Sequence, residues 1–179
     1  MYVKARPLVV CAAALLLAGC GGSGLDSRLT RYHKGEVSLG YPKAWRPPPA
    51  ANRVVPGANF EVASTSPGNG NEAALDVFTS APGAAPLDRD VFDFVQISRT
   101  QPNFRLLGQR KTTISGRPAY EVTKEYGVPQ AGGAPLMIRA TDWLTLSSKG
   151  SRIDIRVGFV ATKYDTSLIK AIKTSITIS

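Results

Sequence analysis

Histidine and cysteine are nearly missing from this chain of 179 residues, which holds one His, His33, and two Cys, Cys11 and Cys20. That scarcity excludes a disulfide framework and any metal site built on several histidines. A Ser–His–Asp triad would have to use His33, which lies between Tyr32 and Lys34 in a polar stretch, and no Gly-x-Ser-x-Gly elbow occurs. The 13 acidic residues show no D-x-D-x-D calcium spacing. Gly68-Asn69-Gly70 and Gly132-Gly133 lack the strand–helix setting and the lysine of a phosphate loop, and read as turns. No internal repeat is visible. Acid is also in deficit: 22 Lys and Arg give a formal charge of +9, yet no run of basic residues occurs. Positions such as Arg28, Arg31, Lys34, Lys43, Arg46 and Arg53 are scattered, which argues against nucleic acid as a partner. Anionic headgroups or wall polymers match a dispersed basic surface better, and a generic solvated surface is the plain alternative.

What is present points first to location. The length suits one domain, and a hydrophobic fraction of 43% supports a real core. Lys4 and Arg6 form a positive leader, followed by an apolar run from Leu8 to Leu17 that is too short to span a bilayer core of about 30 Å. Leu17-Ala18-Gly19-Cys20 then matches the lipobox of bacterial lipoproteins. Residues 1–19 read as a lipoprotein signal peptide, with Cys20 as the thiol that takes the diacylglycerol. Cleavage removes Lys4, Arg6 and Cys11, so the mature side chains carry +7 with no free thiol and no disulfide. Two or more acyl chains hold a protein stably on a membrane, which predicts a lipid-anchored protein on the extracytoplasmic face. Residues 20–31 read as the lipidated cysteine and a flexible tether; about ten such residues reach roughly 18 Å.

Residues 32–179 read as a single α+β domain. Val37, Leu39 and Tyr41 alternate with polar positions and predict a strand over 36–41. Two more strands follow at 59–65 and 73–79, joined through Asn69-Gly70. A helix is predicted from Asp88 to about Thr100, with Asp88 as cap, Leu87 and Phe92 as a hydrophobic staple, and Val91, Phe94, Val95 and Ser98 buried. Four long strands are predicted at about 104–114, 117–127, 136–147 and 151–161. A two-residue turn at Ser115-Gly116 would set Arg110 opposite Glu121 and Arg105 opposite Tyr126. A similar turn at Lys149-Gly150 would set Leu144 opposite Ile155 and Trp143 opposite Arg156. A last helix runs from Lys163 to about Thr174, with Thr162 to Asp165 as its capping box. The order predicts an antiparallel sheet with a four-strand meander and helices packed on it.

Four segments together resemble the PsbP-like lipoprotein group, which includes the LpqN-type lipoproteins. They are Tyr41-Pro42-Lys43-Ala44-Trp45, the Gly116-Arg117-Pro118-Ala119-Tyr120 turn, the Trp143–Phe159 hairpin, and Ile172-Lys173-Thr174-Ser175-Ile176. The resemblance implies the PsbP-like sandwich and a binding or assembly role. It transfers no catalytic residue and no cofactor, so the chain is read as a non-catalytic envelope protein.

Four residues stand out as possible binding groups: Trp45, Asp142, Trp143 and Arg156. Asp142 shares its strand parity with Leu136, Ile138, Ala140, Leu144 and Leu146, opposite Val157 in the assumed register. A carboxylate on an apolar face needs a partner or a shifted pKa. A bulge, a salt bridge, a wet strand end and ligand recognition are the four readings. Trp143 faces Arg156 in that register and is placed either for a cation–π contact or for packing under a helix. Trp45 is either a core plug or a binding aromatic. The leading functional reading is a membrane-anchored protein that binds a protein or envelope component. A carrier of a small hydrophobic ligand is second, marked by a pocket lined with Trp45, Trp143 and Asp142, and an enzyme with an unrecognised site is third.

Overall fold

The computed structural model describes residues 25–48, 57–64, 71–83 and 85–179. Cys20, the leader and the Asn69-Gly70 turn lie outside the described residues. Among the described residues, nine strands and two α-helices run in the order β1 (Leu29–Lys34), β2 (Val37–Pro42), β3 (Phe60–Ala63), β4 (Ala73–Pro82), α1 (Leu87–Ser98), β5 (Arg105–Ile114), β6 (Arg117–Val128), β7 (Leu136–Leu146), β8 (Ser151–Val160), α2 (Thr166–Ser175) and β9 (Thr177–Ile178), with a 3-10 turn at Ala161–Lys163 before α2. They form a six-stranded antiparallel sheet, β3-β4-β8-β7-β6-β5, and a three-stranded one, β1-β2-β9. The α+β class therefore stands, but β3 and β4 extend the anticipated four strands to six.

The large sheet is covered on both faces. On one, Leu75, Val77, Trp143, Ile153, Ile155 and Val157 pack against Val37 and Leu39 of the small sheet and Ile169 and Ile172 of α2. On the other, Val91 and Val95 of α1 close over Tyr120, Val122 and Leu144. Alternation puts successive side chains of each strand into one layer or the other. This is why β8 presents Ile153, Ile155, Val157 and Phe159 on one side and Arg152, Asp154 and Arg156 on the other.

β1 corrects the assignment of residues up to 31 as tether. Leu29 is buried in the main core, Leu25 packs against it, and β1 pairs with β2 along its whole length. Its side chains beyond Leu29 are largely polar, so the strand has no strong apolar alternation. His33 is exposed on this strand.

Turn geometry decides two registers. Ser115 and Gly116 both have positive φ, as a two-residue type I′ turn requires, and Arg110 pairs with Glu121 as expected. A bulge at Leu107 then shifts Arg105 onto Glu125 instead of Tyr126. The β7–β8 hairpin has a three-residue loop, with Ser147 N–H donating to Ser151 O and Gly150 at φ +77°. The extra residue slips the register by one, so Asp142 lies opposite Arg156, not Val157, and Trp143 lies opposite Ile155, not Arg156. A one-residue slip exchanges faces.

The helix starts also differ. Pro86 precedes α1 and Asp88 makes no capping bond; it accepts a hydrogen bond from the Tyr120 hydroxyl instead. Leu87 lies inside α1 and Phe92 is exposed, so the staple does not form. Asp165, not Thr162, caps α2, accepting from Leu168 N–H at 2.9 Å.

Candidate functional site

Antiparallel pairing aligns Glu61, Asp76, Arg156 and Asp142 side by side across β3, β4, β8 and β7. All four sit on the α1 side of the sheet, and Lys124 on β6 and Asp154 on β8 join them from neighbouring positions. Asp142 is completely buried and holds two cations. Arg156 Nε donates to its Oδ1 at 2.7 Å, and Lys124 Nζ lies 3.2 Å from its Oδ2. Lys124 is itself 1% exposed, donates to Ser98 Oγ at 3.2 Å, and stands 4.0 Å from the centroid of the Phe94 ring. The Arg156 guanidinium stacks toward Phe78 at 5.6 Å. Asp142 is thus a buried salt-bridge centre, one of the four readings open from the sequence.

Four carboxylates, Glu61, Asp76, Asp142 and Asp154, share this face with Lys124, Arg156 and, acting on Asp154, Arg152. Burial pushes Asp76 up to about 7, against the attraction of Arg156. Burial, helped by Asp142, raises Asp154 to about 6. Burial also lowers Lys124, which Asp142 opposes. It presses down on Arg156 too, but Asp142 and Asp154 more than offset that and leave its pKa raised. A cleft of about 290 Å³ opens above this cluster, walled by Phe78, Phe94 and Ile97 of β4 and α1 with Arg156 and Asp154 on its floor.

Trp143 is on the opposite face, fully buried, and its indole N–H donates to Glu121 Oε2 at 3.0 Å. Lys173 Nζ of α2 donates to the same oxygen at 2.7 Å, and Arg110 donates to Oε1 at 2.6 and 2.9 Å. Burial pulls Glu121 upward, yet these three donors leave its pKa lowered. A second cleft, about 450 Å³, lies over this carboxylate between α2 and the outer strands β5–β7. Trp45 is a core residue, meeting the Phe159 ring edge-on at 6.2 Å between centroids.

The structure therefore brings Asp142 and Arg156 together and separates them from both tryptophans. The pocket of Trp45, Trp143 and Asp142 that would mark a hydrophobic-ligand carrier is not formed, since the carboxylate and the indoles occupy opposite faces. Lys124 went unread, although it interrupts the stripe Tyr120, Val122, Tyr126 as Asp142 interrupts its own. For Glu121 the Ser115-Gly116 turn indicates Arg110 as a partner, but Trp143 and Lys173 carry no such signal because they are distant in the chain. Among the described residues no group of three or more His, Cys, Asp or Glu could hold a metal ion, and no helix is long and apolar enough to cross a membrane.

Two sheets stacked around one core, with a helix on each face of the larger, define the PsbP-like fold. The solved structures it resembles include cyanobacterial PsbP (CyanoP) from Synechocystis sp. PCC 6803, at 17% identity over 91% of this chain and 99% of that one, with a TM-score of 0.61. They also include LpqN, described as involved in cell envelope biogenesis of Mycobacterium tuberculosis, at 17% identity over 84% and 90% of the two chains, with a TM-score of 0.58. Neither a family model nor a curated protein matches the sequence. At such identities the likeness establishes the fold, and function rests on the site.

Proposed function

We propose that this is a lipid-anchored, non-catalytic protein of the cell envelope that binds an envelope component. The observation that carries this reading is the position of Leu25. It packs on the core just five residues after Cys20 of the Leu17-Ala18-Gly19-Cys20 motif, so a lipid on that cysteine would hold the domain at the membrane surface. The likeness to LpqN, whose description places it in envelope biogenesis, supports the same setting. So does the chemistry inside: Asp142 is engaged in ion pairs with Lys124 and Arg156, Glu121 with Lys173 and Arg110, and His33 lines neither cleft.

The test is mass spectrometry of the mature N-terminus together with membrane fractionation. The expected product begins at Cys20 carrying a diacylglycerol thioether, and Cys20→Ala releases the domain or leaves an uncleaved precursor. An unmodified N-terminus at any other residue overturns the reading. Crosslinking in intact envelopes then identifies the partner.

A further inference from the structure

We propose that the cleft between α2 and strands β5–β7 binds the phosphate of a polyol headgroup, supplied by an anionic lipid of the anchoring membrane. The charge balance on this face points to an anion. Glu121 is shared by Arg110 and Lys173, and Glu125 is shared by Arg139 and Arg105. Lys170, on the rim of the cleft, has no ion pair among the described residues. In the cleft itself three cations, Arg110, Lys170 and Lys173, face one carboxylate, Glu121, and two positive charges are left over; the Glu125 cluster lies beside it on the same face. The acids already in place hold Arg110 and Lys173 in fixed positions, so little side-chain freedom is lost when an anion arrives.

The lining suits a hydroxylated ligand. The hydroxyl-bearing residues Thr123, Thr141, Tyr164 and Thr166 line the cleft, and Ile169 gives it one apolar wall. Tyr164 is itself positioned, sharing a hydrogen bond with Thr141 Oγ1 at 2.6 Å and lying 5.1 Å from the Arg139 guanidinium. A volume of about 450 Å³ accommodates a headgroup of glycerol-phosphate size.

Placement favours a lipid as the source. Thr174 of α2 lines this cleft and also the shallow pocket beside Leu25. Leu25 lies five residues after Cys20, at most about 18 Å of extended chain. This step rests on the lipid anchor proposed above. Given that anchor, the basic rim of the cleft is held within reach of the headgroups.

The experiment uses the mature protein in zwitterionic detergent, titrated calorimetrically with glycerol 3-phosphate, dihexanoyl-phosphatidylglycerol and dihexanoyl-phosphatidylcholine. Saturable binding of the glycerol lipid and none of the choline lipid is expected. Binding of glycerol 3-phosphate alone supports the phosphate chemistry but overturns the lipid source. Lys170→Glu should weaken binding about ten-fold. Lys149→Glu, an exposed hairpin lysine with the same change in net charge, should leave it unchanged. Both variants are checked for native circular dichroism. No binding of either anionic probe, equal loss in the two variants, or equal binding of the choline lipid overturns the proposal. Those results would leave the envelope reading to the N-terminal analysis, which does not depend on the cleft.

Discussion

Replacing Asp142 by Asn keeps the shape of the side chain and removes its charge, so it isolates what the carboxylate does beneath α1. Two cations then lose their counter-ion: Arg156, whose Nε is 2.7 Å away, and Lys124, at 3.2 Å and 1% exposed. Stripping one partner from a buried pair costs about 3–5 kcal/mol, because the remaining charge has neither water nor counter-ion. Asp154 and Asp76 still attract Arg156, and its side chain is 15% exposed, so the lower end applies. We expect a loss of about 3 kcal/mol in urea melts at pH 7 with an unchanged m-value. For a domain of this size that lowers Tm by about 6–12 °C. The double variant Asp142→Asn/Lys124→Met removes the stranded ammonium as well. It should recover at least about 1 kcal/mol relative to the sum of the single changes, since directly paired groups couple by about 0.5–3 kcal/mol. A single Asn variant within about 0.5 kcal/mol of wild type, or strictly additive losses in the double variant, would refute the salt-bridge reading.

The buried acids of the same cluster make stability depend on pH. Asp76 rises from 3.8 to about 7 on folding and Asp154 to about 6, so the folded state holds protons that the unfolded state releases. Their contribution is fully present below about pH 4 and is lost as pH rises through 6 to 7. Asp76→Asn mimics the protonated form and should stabilise the protein by about 1–3 kcal/mol at pH 8 while changing little at pH 4; parallel melts at the two pH values check this, and an equal effect at both would contradict it. Glu121→Gln should cost about 1–2 kcal/mol, because Arg110 and Lys173 lose a charged acceptor that they hold near the surface. Trp143 should report the change through its emission spectrum, since its indole N–H bonds the same carboxylate; an unaltered spectrum and melt would show that Glu121 does not organise this face.

Local patterning alone determined a good part of this protein. The limits of β5 to β8 follow from alternation bounded by Ser115-Gly116, the 127–135 loop and Lys149-Gly150, and the helix stripes of Val91, Val95, Ile169 and Ile172 follow from helical spacing. The anomaly of Asp142 is equally local, because it depends on residue type and short spacing. The faces of the sheet were decided by the folded chain. Side chains alternate with a period of two, so one extra residue in the Ser148–Gly150 loop turned Asp142 toward Arg156 and Trp143 into the opposite core. The two charge centres needed the same long-range information. Lys124 reaches Asp142 because β6 lies beside β7, and Lys173 reaches Glu121 because α2 crosses the face that β5–β7 leave open. Strand order and helix placement are set by how the whole chain buries its apolar surface, and no window of sequence contains that information.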